Sequence, residues 1–237
     1  MAFGNVILDN LSDATLVALR PHLHRVEVER HQVLIEQDEP VLTVHFPLDC
    51  QLANLNIFED AEAVETSVIG REGMSGLSPF LACAACPWRV QVRKSGTAIA
   101  LAVRPLQLMF DGDRVLRERL MRLTLFYQAQ AAQTAACNAT HRISSRVARW
   151  LLTASDLTPD QPIHFTQEEM ATLLGAQRTT VVDAMQALKA AGAVRYGRGR
   201  IQILSRARVE AQACSCYRYL RHQAQQLKVL PEAGEAA

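Results

Sequence analysis

The chain has 237 residues, 49% of them apolar and 21% charged, with a formal net charge of +1. That length holds one large domain or two ordinary ones, and the balance excludes both a disordered chain and a polycation. No apolar run reaches the roughly 18–20 residues that cross a bilayer, so no membrane partner is expected. The opening Met1-Ala2-Phe3-Gly4-Asn5 has neither the basic start nor the apolar run of a signal peptide. The expectation is a cytoplasmic protein whose six cysteines are thiols rather than a disulfide framework. Charge is unevenly placed: residues 140–237 carry 13 Lys and Arg against 8 Asp and Glu, whereas residues 1–139 carry 12 against 16. A basic C-terminal part beside an acidic N-terminal part fits nucleic-acid binding confined to the former.

Leu11 to Leu23 predicts a short helix, capped by Ser12 or Asp13, with Leu16, Leu19 and Leu23 at helical spacing and Pro21 ending or kinking it. From Val26 to Val103 short alternating runs recur: Val26–Val28, Val33–Ile35, Thr43–Phe46, Gln51–Ile57, Val64–Ile69, Arg89–Val92 and Thr97–Val103. Separators such as Asp38-Glu39-Pro40, Pro47-Leu48-Asp49, Glu59-Asp60 and Ser95-Gly96 make this an antiparallel barrel or roll. No βαβ alternation is present, which argues against a dinucleotide-binding domain. Within the roll, Gly70-Arg71-Glu72-Gly73-Met74-Ser75-Gly76 reads first as a turn followed by a short helix, and second as a backbone cradle for a ligand.

At Pro105 the chain turns helical, and Asp111-Gly112-Asp113 interrupts, offering a cap for the next helix. That helix runs from about Arg114 to near Cys137. Leu116, Leu120, Leu123 and Tyr127 step by 4, 3 and 4, and Gln130 and Thr134 continue the row. Such a seam calls for a partner, most simply a second copy of the chain, although a helix lying on its own roll would show the same pattern. His141 to Ala154 forms another helix with Ile143, Val147, Trp150 and Leu151 inward and Arg142, Arg146 and Arg149 mostly outward. A loop at Thr158-Pro159-Asp160-Gln161-Pro162 and a short strand at Ile163-His164-Phe165 follow.

Phe165 to Ala191 is the stretch richest in signal. Thr166 followed three residues on by Glu169 is a capping-box spacing, and Met170, Leu173 and Leu174 give one apolar face. Gly175 supplies a turn, and a second helix buries Val181, Met185 and Leu188. Two short helices about a glycine, the second opening on polar side chains, form a helix-turn-helix pattern. Behind it Val194-Arg195-Tyr196-Gly197-Arg198-Gly199-Arg200-Ile201-Gln202-Ile203-Leu204 reads as a hairpin whose arginines suit a phosphate-tracking wing. Candidate contacts to double-stranded DNA are Thr166, Gln167, Gln177, Arg178, Thr179, Thr180 and Asp183 on the helices and Arg195, Arg198 and Arg200 on the wing. Ser205 to Leu227 predicts one last helix, and Pro231 to Ala237 a frayed tail.

The fold class is therefore α+β: an N-terminal antiparallel β-roll, a long dimerisation helix and a C-terminal winged helix-turn-helix. This order resembles the Crp/Fnr family of bacterial transcription regulators. The resemblance implies a homodimer on a palindromic promoter site that contacts RNA polymerase, with an effector-sensing roll related to cyclic-nucleotide-binding domains over residues 1–110. It further implies a dimerisation helix and hinge over 111–140 and a DNA-binding domain over 141–237. The candidate effector pocket holds Arg71, Glu72, Ser75, Trp88, Arg89 and Tyr127. Two departures alter the expectation. In members that bind cyclic AMP a Gly-Glu pair opens the phosphate cassette and an Arg-Ser pair grips the phosphate. Here Glu72 follows Arg71, and Trp88-Arg89 stands at the second position. A Trp cannot supply the guanidinium fork, so the roll is expected to take another small effector or none. On the recognition helix, Arg178-Thr179-Thr180-Val181 with Asp183 keeps the guanine-reading arginine and changes its neighbours.

Competing chemistry rests on Cys83-Ala84-Ala85-Cys86, a spacing that serves metals, iron–sulfur clusters or thiol–disulfide exchange. Too few further ligands lie nearby, and the strand-helix context of a thiol oxidoreductase is absent. Cys214-Ser215-Cys216 is tighter than most sites use and is assigned to packing, and His22, His24, His31 and His45 form no ligand spacing. No cofactor and no metal are expected. No nucleophile elbow, phosphate loop or His-Glu-x-x-His is present, so catalysis is not expected.

Overall fold

The local rules act first. Ser12 accepts a hydrogen bond from the Thr15 amide and caps α1 (Asp13–Leu19), and Pro21 falls in the single 3-10 turn that ends it. The alternating runs become β1 (His24–Val28), β2 (Val33–Ile35), β3 (Thr43–Pro47), β4 (Gln51–Ile57), β5 (Ala63–Ile69), β6 (Arg89–Lys94) and β7 (Gly96–Ala102), with α2 (Leu77–Ala82) directly behind the glycine-rich turn. Then come α3 (Val103–Gly112), α4 (Arg114–Thr140), α5 (Ile143–Leu157), β8 (Ile163–His164), α6 (Gln167–Leu174), α7 (Arg178–Ala190), β9 (Val194–Gly197), β10 (Arg200–Ile203), α8 (Arg206–Gln212) and α9 (Cys216–Gln226). The computed structural model describes residues 3–59, 63–157, 162–197, 199–227 and 229. Arg198, most of the loop at Thr158 to Pro162 and the tail from Pro231 lie outside the described residues. None of the described helices is long and apolar enough to cross a membrane.

The chain divides into two compact units, and the boundary falls inside α4, after Ala129. The first unit contains the roll apart from residues 63–65, and residues 223–227 and 229 belong with it. Its strands make two sheets, ordered β1-β7-β3 and β2-β6-β4-β5. The register is antiparallel, with Val26 opposite Ala98, Phe46 opposite Ile99 and Leu52 opposite Val92. One apolar cluster joins Val28, Ile35, Leu52, Ile69, Val90 and Val92. A larger one joins Val44, Phe46, Ile99 and Leu101 of the first sheet to Leu19, Leu106 and the leucines of α4. Asp113 starts α4 by accepting the Val115 and Leu116 amides at 2.8 and 3.1 Å, while Ser12 and Thr15 donate to its other oxygen. Those bonds hold its carboxyl below the usual carboxylate range.

Three expectations need correction. Leu116, Leu120 and Leu123, expected as a seam toward a second copy, are 0–2% exposed and packed into the core of their own unit. The 4-3-4 spacing defines a buried stripe but cannot say whether a sheet or another helix covers it. Tyr127, Gln130 and Thr134 are half-buried. The large apolar side chains of α4 that are exposed are Val115, Met121 and Leu125. The expected last helix is two, broken at Ala213, whose backbone is extended. Arg146 and Arg149, expected outward, are buried. Arg146 donates to the carbonyl of Leu174 and so satisfies the open end of α6.

A close approach inside the roll gives a test. A Cβ on Gly73 would lie 1.9 Å from the Tyr127 hydroxyl. Gly73→Ala should therefore destabilise the protein by about 1–3 kcal/mol in urea unfolding, as overpacking does. Adding Tyr127→Phe should recover part of that loss, and an unchanged midpoint in the double variant would refute the contact.

Candidate nucleic-acid interface

The second unit is built so that α7 presents one face. The capping box at the head of α6 is complete: the Thr166 amide donates to Glu169 Oε2 at 2.7 Å, and the Glu169 amide donates to Thr166 Oγ1 at 3.1 Å. Gly175 closes the helix at φ 56°, and the Ala176 amide reaches back to the Ala171 carbonyl at 3.0 Å. This left-handed cap sends the chain into α7 at once. Val181, Met185 and Leu188 of α7 are fully buried, joining Val147, Leu151, Met170 and Leu174. The rings of Trp150 and Phe165 meet edge-on in the same cluster, 4.8 Å between centroids.

The face of α7 turned away from that core carries Gln177, Arg178, Thr179, Thr180 and Asp183, all exposed. Among the described residues no side chain caps α7, so its first turn offers amide donors as well. Arg178 Nε lies 3.3 Å from Glu168 Oε2, and both side chains are about two-thirds exposed, at 66% and 67%. A pair so exposed is worth roughly 0–1 kcal/mol. It steadies the guanidinium without preventing it from turning to another acceptor. Thr166 is exposed and Gln167 half-buried at the start of α6.

The wing is a three-stranded sheet ordered β8-β10-β9. Arg195 faces Gln202, and Arg200 faces both Gly197 and His164. Alternation turns Val194 and Ile201 inward and leaves Arg195, Arg200, Gln202 and His164 exposed. Two of the three expected wing arginines thus share one outward face. Gln186, one turn beyond Asp183, is also exposed. Sequence reasoning passed over Gln186, Gln202 and His164, although helical and strand periodicity would have put them on these faces.

The expected effector residues do not converge in the same way. Glu72 is buried, accepts the Gly70 amide at 2.8 Å, and has no partner for its other oxygen among the described residues. Burial pushes its carboxyl up, and burial beside Glu72 pushes the Tyr127 phenol up. Glu72 and Tyr127 therefore meet around Gly73. Ser75 is engaged with the His45 backbone, accepting its amide at 2.8 Å and donating to its carbonyl at 2.9 Å. Arg89 is paired with Glu36 at 2.6 Å. Arg71 is exposed, and Trp88 is half-buried with its indole N–H unpartnered among the described residues. A cavity of about 100 Å³ includes Glu72 alone of the six, with Glu118, Arg119, Arg122 and Leu123 among its other walls.

Cys83 is exposed and Cys86 buried, and among the described residues the pair belongs to no group of three or more possible metal ligands. The cysteines assigned to packing do belong to one. Cys137, His141, Cys214 and Cys216 bring their donor atoms within 4.8 Å of one another. Spacing along the chain hid this, because Cys137 and Cys214 lie 77 positions apart.

The family model for a Crp-like helix-turn-helix domain matches residues 145–212, which contain α6, α7 and the wing. Among solved structures, FixK2 from Bradyrhizobium japonicum is 15% identical and superposes with a TM-score of 0.71, covering 81% of this chain and 98% of that one. A CRP/FNR-family transcriptional regulator from Thermus thermophilus is 20% identical with a TM-score of 0.66, covering 80% and 98%. No curated protein matches the sequence. The likeness to these structures is one of fold, and the domain match is to a DNA-binding motif.

Because both bonds of the capping box depend on Thr166, Thr166→Ala should cost about 1 kcal/mol of stability and Thr166→Ser much less. Thermal unfolding followed by circular dichroism checks this, and equal midpoints for wild type and Thr166→Ala would remove the cap from the account.

Proposed function

We propose that this chain, whose helix-turn-helix domain and fold are those of the Crp/Fnr transcription regulators, acts as a homodimer that reads a two-fold promoter site. The observation that carries the reading is the division of α7. Its apolar face is fully buried, while Arg178, Thr179, Thr180 and Asp183 stand exposed on the other.

A helix exposed in this way enters the major groove with its first turns against base edges. Arg178 then leaves Glu168 and forms a bidentate pair with guanine O6 and N7. Asp183 only accepts hydrogen bonds, so it favours a cytosine N4 amine and disfavours acceptor edges. Thr179 and Thr180 lie between them, and Gln177 starts the same face. Arg195 and Arg200, with Arg198, are read as phosphate contacts that set register without choosing sequence. Thr166 and Gln167 sit where the first helix would cross the backbone.

The dimer surface we assign is the exposed apolar set on α4, Val115, Met121 and Leu125, in place of the leucines buried in the roll. A two-fold pair would set two α7 helices about 34 Å apart, one turn of duplex. Contact with RNA polymerase follows from the resemblance to the family. The roll is read as an effector domain whose ligand is not a cyclic nucleotide, since Arg89 is engaged by Glu36 and no second guanidinium stands at the matching position. The protein is read as a binding protein, not an enzyme.

Selection of sites from random DNA tests the whole reading, with a two-fold consensus as the expected outcome. On the selected site Arg178→Ala should weaken binding by about 1–3 kcal/mol and relax one base position, whereas Arg195→Ala should weaken all sequences alike and lower the salt slope by about one. Gel-shift titration at several salt concentrations separates the two. Met121→Glu with Leu125→Glu should shift the protein to monomer in sedimentation equilibrium and reduce affinity for the full site more than for a half-site. A variant that stays dimeric would move the interface elsewhere.

A further inference from the structure

Cys137 is in the last turn of α4. The His141 amide bonds to the Cys137 carbonyl at 2.9 Å, so helical geometry continues and both side chains leave one face, four residues apart. Cys214 lies in the break between α8 and α9, and Cys216 is the first residue of α9. Cys137 Sγ lies 3.6 Å from Cys214 Sγ, and Cys216 Sγ lies 3.4 Å from His141 Nδ1. The three cysteines are buried as a small cluster of their own, at 0%, 8% and 1% exposure, and His141 is half-buried. The thiols are free, and 3.6 Å is far beyond a disulfide bond of about 2.05 Å.

We infer that Cys137, His141, Cys214 and Cys216 form a mononuclear metal site of the zinc class in the C-terminal unit. The distances fit such an ion. A tetrahedral centre with bonds of about 2.3 Å to sulfur and 2.0–2.1 Å to nitrogen has donor–donor edges of roughly 3.5–3.8 Å. The Cys137–Cys214 and Cys216–His141 separations, 3.6 and 3.4 Å, lie close to those edges, and all four donors lie within 4.8 Å of one another. An iron–sulfur cluster interposes sulfides between its irons and needs its ligand thiolates farther apart. Three thiolates and an imidazole are a soft, tetrahedral set that suits zinc over magnesium, calcium or manganese. Four protein ligands leave no open position, which marks a structural site and not a hydrolytic one.

The surroundings fit the charge. Three thiolates and a neutral imidazole on a dication carry a net −1, and binding releases the three thiol protons to solvent. The guanidinium groups of Arg146 and Arg149 are buried close enough to interact electrostatically with Cys137. The Nε atom of each has no hydrogen-bond partner among the described residues. The Gln133 side-chain amide donates to Cys216 Sγ at 3.0 Å, the kind of outer hydrogen bond that orients a ligating sulfur. The ion would tie the end of α4 to the α8–α9 break and so brace the winged-helix unit from one side. Such a site is independent of how the protein meets DNA.

The test uses the full chain without an affinity tag, purified reduced and stripped of metal with chelator. Titrated with Zn²⁺ or Co²⁺, it should take up about one ion per chain, and the cobalt form should show the intense visible bands of a tetrahedral thiolate complex. Cys214→Ser with Cys216→Ser should abolish uptake, while Cys83→Ser should leave it intact. Because the double variant could lose metal by misfolding, His141→Cys is the second probe: it should keep one ion and shift the cobalt bands. Failure of the wild-type chain to bind either ion, uptake unchanged in the double serine variant, or cobalt bands unmoved by His141→Cys would each overturn the site.

Discussion

The burial of one face of α7 is the constraint on which the interface depends. Val181, Met185 and Leu188 have no exposure, and each such side chain contributes roughly 1.5–3 kcal/mol. The polar contacts around the helix are weaker. The ion pair between Arg178 and Glu168 is two-thirds exposed on both sides and contributes at most about 1 kcal/mol. Packing therefore decides how α7 is rotated, and rotation decides which side chains meet solvent. The left-handed Gly175 and the Arg146 guanidinium on the Leu174 carbonyl fix the turn that delivers α7 to its seat. A polar, exposed edge is left over because the apolar edge has been claimed.

The roll shows the opposite use of polar residues. Side chains that in a linear reading suggest a ligand cradle are engaged in holding strands and turns. The Ser75 hydroxyl accepts the His45 amide, Arg89 holds Glu36, and Glu72 accepts the Gly70 amide. Two groups keep unspent capacity, the free oxygen of Glu72 and the hydroxyl of Tyr127, and they meet around Gly73. Burial pushes the titration of both groups up, because a charge there loses much of its hydration.

The leucine stripe of α4 and the pair Cys214 and Cys216 depart from expectation for one cause: spacing describes only neighbours along one element. Leu116, Leu120 and Leu123 satisfy a helical period whether a second copy or their own sheet covers them, and here they sit among Phe46, Ile99 and Leu101. Cys214-x-Cys216 is too tight to hold an ion by itself. Its neighbours come from the end of α4, and the extended backbone at Ala213 that separates α8 from α9 opens the loop that meets them. Arg146 and Arg149 break the rule that charged side chains face solvent. Their burial becomes intelligible only beside a helix end and a group of thiols.

Local chemistry was legible in the amino-acid order. Strand limits such as Val33–Ile35 and Gln51–Ile57, the capping box at Thr166 and Glu169, the glycine turn and the apolar face of α7 all follow from period, cap and turn rules that act within about ten residues. The helix-turn-helix was therefore recoverable with its exposed Arg178 in place. What required the folded chain is convergence: which surface covers a stripe, which guanidinium is engaged, and which thiols separated by most of a domain come to share one point. Such outcomes depend on competition among distant surfaces for the same buried volume, and no window along the sequence contains both competitors.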